Sequence, residues 1–426
     1  SDTPVQYPLS AVITSEFSPK RVRGRMMTAV FAMQGFGNFV MCGIAAALVA
    51  LVVTKAFESR LTAGMDTLQD RDRLLDNIDR CWRLLIGLGA VPGCIALFCR
   101  LTIPETPRFT MDVERNVEQA VQDVTTFLTT GQYNIDPDAV IRRADAPKAS
   151  WVNFKHYFGQ WRNLKLLLGM AYAWFALDIP FYTLGLNSLG LLGPLHFISK
   201  ECSDYSLQHS RDIMLQASKG SLILSAGGLI PGYWATFFFV DSWGRKPIQI
   251  MGFIVLTGKI NNSSHGDEET HGYLSGGNVL IFLYCMANFF QNFGPNTTTF
   301  IVPGEAFPTR YRATAHGICA ASGKLGAILS QVVFSVLSHR FGKKSCEASD
   351  PDRFVQYMIF VFAFFTLTGA AATLLIEETK GRTLEDISNE RQDGFISEGA
   401  GPLELASDLG ADEVNDSYQR IHSGGA

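Results

Sequence analysis

Charge is swept out of long stretches of this 426-residue chain. Met26–Thr54, Gly220–Val240, Tyr273–Gly304 and Phe354–Ile376 contain no Asp, Glu, Lys or Arg, and Leu166–Ser199 contains only Asp178. The helix of a soluble domain keeps a polar face, whereas these blocks are apolar all round. About twenty such residues cross the hydrocarbon core of a bilayer as a helix. Ala313–Ser338 qualifies with one interior charge, Lys324, and the shorter Leu84–Cys99 is flanked by Arg83 and Arg100, which can snorkel to the two interfaces. The pattern predicts an all-α, polytopic membrane protein with the lipid bilayer as its solvent. One span is too short on this reading. Pro247–Leu256 is apolar, but after Lys259 the chain turns to NNSSHGDEETHG, and about a dozen apolar residues do not cross unaided.

Composition narrows the function. A net charge of −4 argues against nucleic acid as a partner. The eight cysteines form no C-x-x-C pair and lie mostly inside apolar blocks, so they read as packing residues. Gly317 to Lys324 has the outline of a phosphate-binding loop, but with five residues between its glycines and Leu325 where Ser or Thr is needed. No H-E-x-x-H, G-x-S-x-G or metal-spaced histidine cluster occurs. The expectation is a non-enzyme without cofactor or metal.

Two loop segments match each other. EFSPKRVRG from Glu16 and EAFPTRYRA from Glu305 share E-x-x-P-x-x-x-R, and each precedes a long apolar helix. IPETPR (103–108) and IEETKGR (376–382) follow in the same order. Such ordered matches mark a parallel internal duplication, as in the two halves of some transporters. Several apolar blocks precede Glu305 but only fifteen residues precede Glu16. Symmetry therefore predicts a twelve-helix architecture of which about nine helices are present, with a truncated N-terminal bundle. The expected division is 1–106 for helices four to six, 107–164 for a central loop, 165–380 for helices seven to twelve, and 381–426 for a polar tail. Within the loop, Val113, Val117, Val121, Val124 and Leu128 repeat at helical spacing and predict an amphipathic helix. Basic residues in 19–25, 104–108, 241–246, 308–312 and 378–382 place those loops, and the tail, on the cytoplasmic side.

These marks, with DSWGRK (241–246), resemble the sugar-porter-like branch of the major facilitator superfamily. YPLSAVITSEFSPKRVRGRMMTAVFAMQGFGN (7–38), WFALDIPFYTLGLN (174–187) and NFGPNTTTFIVPGEAFPTRYRATAHG (292–317) are similar to the fungal and plant high-affinity inorganic phosphate:proton symporters of the plasma membrane. The resemblance covers nearly all of residues 7–385. It departs at Gln6, where the family carries an aspartate, and in the polar insertion near 260. It implies Tyr7, Gln34, Trp174, Asp178, Tyr182 and Asn296 as phosphate ligands with Lys324 close by, and inorganic phosphate and protons as partners.

The residues themselves are chemically suited to that role. Trp174, Asp178 and Tyr182 follow at i, i+4 and i+8, forming one stripe that offers an indole N–H, a carboxyl and a phenol. Gln34 and Asn296 add amide donors, and donors suit an oxyanion. Asn296 follows Gly294-Pro295, where a lost backbone hydrogen bond can open the helix. A carboxylate facing an anion makes sense if it is protonated for part of the cycle, which couples proton to substrate at Asp178. Other readings stand beside this one. Asp178 and Lys324 can neutralise each other as a structural pair, and Gln34 and Asn296 can be interhelical hydrogen bonds. The loop motifs also fit a sugar or other organic-solute transporter, or a phosphate sensor. Glu16, Arg23, Asp241, Arg245, Glu305 and Arg312 read as salt bridges of a cytoplasmic gate, not as substrate ligands.

Overall fold

The computed structural model describes residues 6–53, 68–102, 150–187, 207–262, 277–341 and 351–388. Among them every regular element is a helix: α1 (Gln6–Phe17), α2 (Arg23–Leu48), α3 (Leu68–Thr102), α4 (Trp151–Gly159), α5 (Trp161–Leu186), α6 (Leu207–Leu224), α7 (Ile230–Trp243), α8 (Arg245–Asn262), α9 (Gly277–Gln291), α10 (Thr297–Ala306), α11 (Thr309–Phe341), α12 (Pro351–Thr373) and α13 (Leu384–Ser388). π-helical turns extend α2 (Val49–Val53), join α6 to α7 (Ser225–Leu229) and join α9 to α10 (Asn292–Asn296). Five described helical stretches are long and apolar enough to cross a membrane, within α2, α3, α5, α6–α7 and α11. The amphipathic pattern at 113–128, the insertion beyond Asn262, Cys202, Cys346 and the polar tail lie outside the described residues.

Local chemistry sets the boundaries. The Ser150 side chain accepts the Asn153 N–H at 3.2 Å and starts α4. Gln160, extended at φ −72° and ψ 123°, ends α4 and opens α5. Phe307 is extended at φ −114° and ψ 154° because Pro308 follows it, so α10 must stop and α11 begin anew. The segment judged too short to cross is a continuous helix of 18 residues, α8. Its polar C-terminal turn continues the helix, since backbone hydrogen bonding does not depend on side-chain polarity, but α8 is not among the described stretches long and apolar enough to cross.

α5 packs along α11, α12 lies against α5 and α8, and α2 lies against α6 and α7. The main core runs through Phe31, Met170, Trp174, Tyr233, Phe253 and Phe300. Large apolar side chains point outward elsewhere, such as Ile86 and Phe98 on α3 and Phe364 and Leu367 on α12. In hydrocarbon that exposure has no hydrophobic cost, so close packing must hold the helices together. One close approach is between α8 and the α9–α10 break. A Cβ on Gly252 would lie 2.5 Å from Pro295 Cδ and 2.7 Å from Gly294 Cα. Two glycines facing each other thus bring the backbones into contact where Phe293 (ψ 53°) and Gly294 leave helical geometry.

Gly252→Ala is therefore expected to destabilise by about 1–3 kcal/mol through overpacking. Gly258→Ala, with nothing within 4 Å of its Cβ, should be neutral or slightly stabilising. Thermal unfolding of the two variants in one detergent checks the pair; equal midpoints would mean that α8 does not press on the break.

Candidate functional site

The polar residues singled out within the apolar blocks fall into two groups. The first lies between α5 and α11. Asp178 is buried, with 2% of its surface exposed, and its carboxyl is hydrogen-bonded by the Trp174 side chain. Lys324 Nζ stands 3.9 Å from Asp178 Oδ2, donates to the Tyr182 hydroxyl, and lies 4.4 Å from the centre of the Tyr182 ring. Asp178 Oδ2 has no hydrogen-bond partner among the described residues. Lys324 keeps 28% of its side chain exposed, so the cation sits at the rim and the carboxylate at the bottom. The approach needs Gly323. A Cβ there would fall 2.7 Å from Asp178 Oδ2 and 2.6 Å from Trp174 Cδ1.

The second group lies where α2, α7 and the α9–α10 break meet. The Asn296 amide donates to the Tyr233 hydroxyl at 2.8 Å and to Asn292 Oδ1 at 2.7 Å, and the Tyr233 hydroxyl donates to Gln34 Oε1 at 3.0 Å. Gln34 and Asn296 are thus brought together, but through Tyr233. The break itself frees carbonyls that threonines re-engage: Asn292 O accepts from both Thr236 and Thr297. Between the groups runs a continuous line of rings: Trp174 on His316, His316 on Phe300, Phe300 stacked on Phe31, and Phe31 edge-on to Tyr233, with centroids 4.5–5.6 Å apart. Tyr7 belongs to α1, and its side chain lies outside the described ones.

The repeated loop motifs meet at one end of the bundle. Glu16 of the first copy pairs with Arg312 of the second at 2.6 Å, both side chains 1% exposed. Arg312 Nε also donates to Phe307 O. Arg245 grips Glu305 through two bonds of 2.9 and 3.2 Å and reaches Asp241 at 3.0 Å. The Thr379 hydroxyl donates to Glu305, Arg25 N donates to Asp241, and Arg23 donates to the Arg382 carbonyl. Nearby, hydrogen bonds from the Arg162 guanidinium hold the Glu377 carboxyl below its ordinary range against partial burial. A carboxylate of one motif segment thus neutralises the guanidinium of the other.

Sequence reasoning missed Tyr233 and His316. Tyr233 stands in an uncharged run of aromatics and carries no mark that separates it from lipid-facing neighbours. His316 lies at i−8 from Lys324, a stripe that could have been read.

A helical bundle that buries a carboxylate, a lysine at its rim and a broken helix in its core is the architecture of a multi-pass membrane carrier. A profile described as "Sugar (and other) transporter" matches residues 4–390, and the chain belongs to that family. A repressible high-affinity phosphate permease of Neurospora crassa is 43% identical over 395 residues, and the inorganic phosphate transporter PHO84 of Saccharomyces cerevisiae is 41% identical over 398. Each alignment takes in 90% of this chain, which spans 66% and 64% of the two relatives' lengths. A probable inorganic phosphate transporter 1-4 of Oryza sativa subsp. japonica is 36% identical, covering 91% of this chain and 70% of the relative. Among solved structures, the major facilitator superfamily proton:xylose symporter XylE aligns with a TM-score of 0.57 and 17% identity, over 89% of this chain and 70% of its own. At that identity the likeness concerns the fold alone.

Removing one partner of the buried end pair leaves an uncompensated charge. Arg312→Ala is expected to cost about 3–5 kcal/mol, and Arg312→Met with Glu16→Gln to recover most of it. Melting temperature and yield in detergent check this; a double variant no better than the single would show that Arg312 acts through Phe307 O instead.

Proposed function

We propose that the protein imports inorganic phosphate together with protons by alternating access, in the plasma membrane, with the motif end and the C-terminal tail in the cytoplasm. The observation that carries this reading is the buried Asp178 carboxyl, held by Trp174 and facing Lys324, with Tyr182 attached to the same lysine. A lysine at the rim attracts an oxyanion, and the indole and phenol supply donors. Protonated, Asp178 is neutral and tolerates the anion beside it. Ionised, it repels the anion and is neutralised by Lys324, so release of substrate and of proton reinforce each other. Gln34 and Asn296 contribute from the second group once Tyr233 yields their hydrogen bonds. The names of the fungal and plant relatives support phosphate as the substrate. The Glu16–Arg312 pair holds the cytoplasmic end shut and must part before release on that side.

In the full-length protein, Asp178→Asn is expected to abolish uphill phosphate uptake while expression stays near normal, because the amide keeps volume and a donor but releases no proton. Labelled-phosphate uptake in vesicles with an imposed pH gradient measures this. Continued accumulation against a gradient would remove Asp178 from the coupling step. Tyr182→Phe deletes one donor to a charged ligand and little volume. It should weaken phosphate binding by roughly ten- to a hundredfold, read from the concentration dependence of the same uptake.

A further inference from the structure

We propose that His316 supplies the acceptor that recognises the O–H of a protonated oxyanion and so sets selectivity for phosphate over sulfate; this rests on the phosphate reading above. Hydrogen phosphate and sulfate have nearly the same size and shape, and both are tetrahedral oxyanions. They differ in that phosphate at neutral pH carries at least one O–H and sulfate carries none. The site as built from Trp174, Tyr182 and Lys324 consists of donors, which serve both anions equally. Tyr182 accepts from Lys324. Discrimination needs a buried acceptor that goes unpaired when the wrong anion enters.

Around Trp174 two buried acceptor atoms have no hydrogen-bond partner among the described residues, Asp178 Oδ2, which is ion-paired with Lys324, and His316 Nδ1. His316 is fully buried. Its ring stands edge-on to the Trp174 indole, with centroids 5.5 Å apart, and edge-on to Phe300 at 5.6 Å. Its Nε2 lies 3.1 Å from the Phe300 carbonyl oxygen. A carbonyl oxygen only accepts, so Nε2 carries the proton, and in the neutral ring Nδ1 is then a lone-pair acceptor. Along α11, His316, Ala320 and Lys324 follow at i, i+4 and i+8, on the helix that faces the Trp174–Asp178–Tyr182 stripe of α5. Ala320, the residue between the imidazole and the lysine, is small. The tautomer is set by a backbone carbonyl, which no side-chain substitution removes, so the neutral ring keeps Nδ1 as its acceptor. Asp178 alternates between acceptor and donor as it gains and loses its proton; His316 is the acceptor that remains when Asp178 is protonated.

The two amide substitutions separate this role from a structural one. The carboxamide of glutamine sits where Nε2 sits and can keep the bond to Phe300 O, whereas that of asparagine sits where Nδ1 sits. In the full-length protein purified in detergent, phosphate binding is measured with labelled phosphate, and sulfate and monofluorophosphate are used as competitors. Monofluorophosphate replaces the O–H of hydrogen phosphate by fluorine. Wild-type protein should bind phosphate and be displaced by monofluorophosphate at least about tenfold more weakly than by phosphate itself, because a buried acceptor loses its partner. His316→Gln should lose about tenfold in phosphate affinity and gain sensitivity to sulfate, while His316→Asn should keep sulfate excluded. A glutamine variant with wild-type affinity and wild-type exclusion of sulfate would overturn the inference. So would equal competition by monofluorophosphate and phosphate in the wild-type protein, a measurement that needs no variant to fold. Wild-type protein that binds no phosphate at all would overturn the phosphate reading and this inference with it, an outcome distinct from the other two.

Discussion

A polar group inside hydrocarbon has no water to turn to, and that single constraint organises this protein. Each buried donor or acceptor must find a partner within the chain or stand ready for a ligand. Threonines meet the carbonyls of the α9–α10 break, Arg312 meets Glu16 and Phe307 O, and Arg245 meets Glu305 and Asp241. Asp178 Oδ2 and His316 Nδ1, on either side of Trp174, are two of the buried atoms that find no hydrogen bond among the described residues.

The same constraint explains why charge is concentrated in two kinds of place. At the motif end, carboxylates and guanidiniums are close and nearly dry, with two bonds between Arg245 and Glu305. Such pairs do little for net stability against an apolar replacement, but breaking one partner is severe. Of these pairs, Glu16 with Arg312 joins the two copies of the motif, whereas Arg245 with Glu305 lies within one half. Between α5 and α11, by contrast, Lys324 and Asp178 are 3.9 Å apart and the lysine is divided between the carboxylate and Tyr182. A loose, shared pair is held less firmly than a tight bidentate one.

The aromatic line from Trp174 to Tyr233 gives the two polar groups a mechanical relation. Edge-to-face and stacked rings resist sliding, so a change in the position of Trp174 is felt through His316, Phe300 and Phe31. A substrate gripped at α5 and α11 on one side and at α2 and the α9–α10 break on the other would draw on helices that belong to both copies of the repeated motif.

By itself the sequence determined the helical class, the membrane setting and the duplication, because each is written in local terms: blocks without charge, their length against bilayer thickness, and E-x-x-P-x-x-x-R occurring twice. The stripe of Trp174, Asp178 and Tyr182 was legible for the same reason, since a helix turns spacing into a face. The tertiary structure alone decided which charge meets which. Glu16 and Arg312 are 296 residues apart, and nothing local distinguishes that pairing from Glu16 with Arg23. It also decided that Gln34 and Asn296 share Tyr233, and that His316 turns one nitrogen to a carbonyl and leaves the other without a partner. Counting apolar side chains showed that the run in α8 is short. That the helix continues through its polar turn to Asn262 and packs on the break was decided by backbone bonds and by two glycines facing each other. Periodicity and composition report how a segment meets its solvent; which segments meet each other depends on contacts between distant positions, and those exist only once the chain is packed.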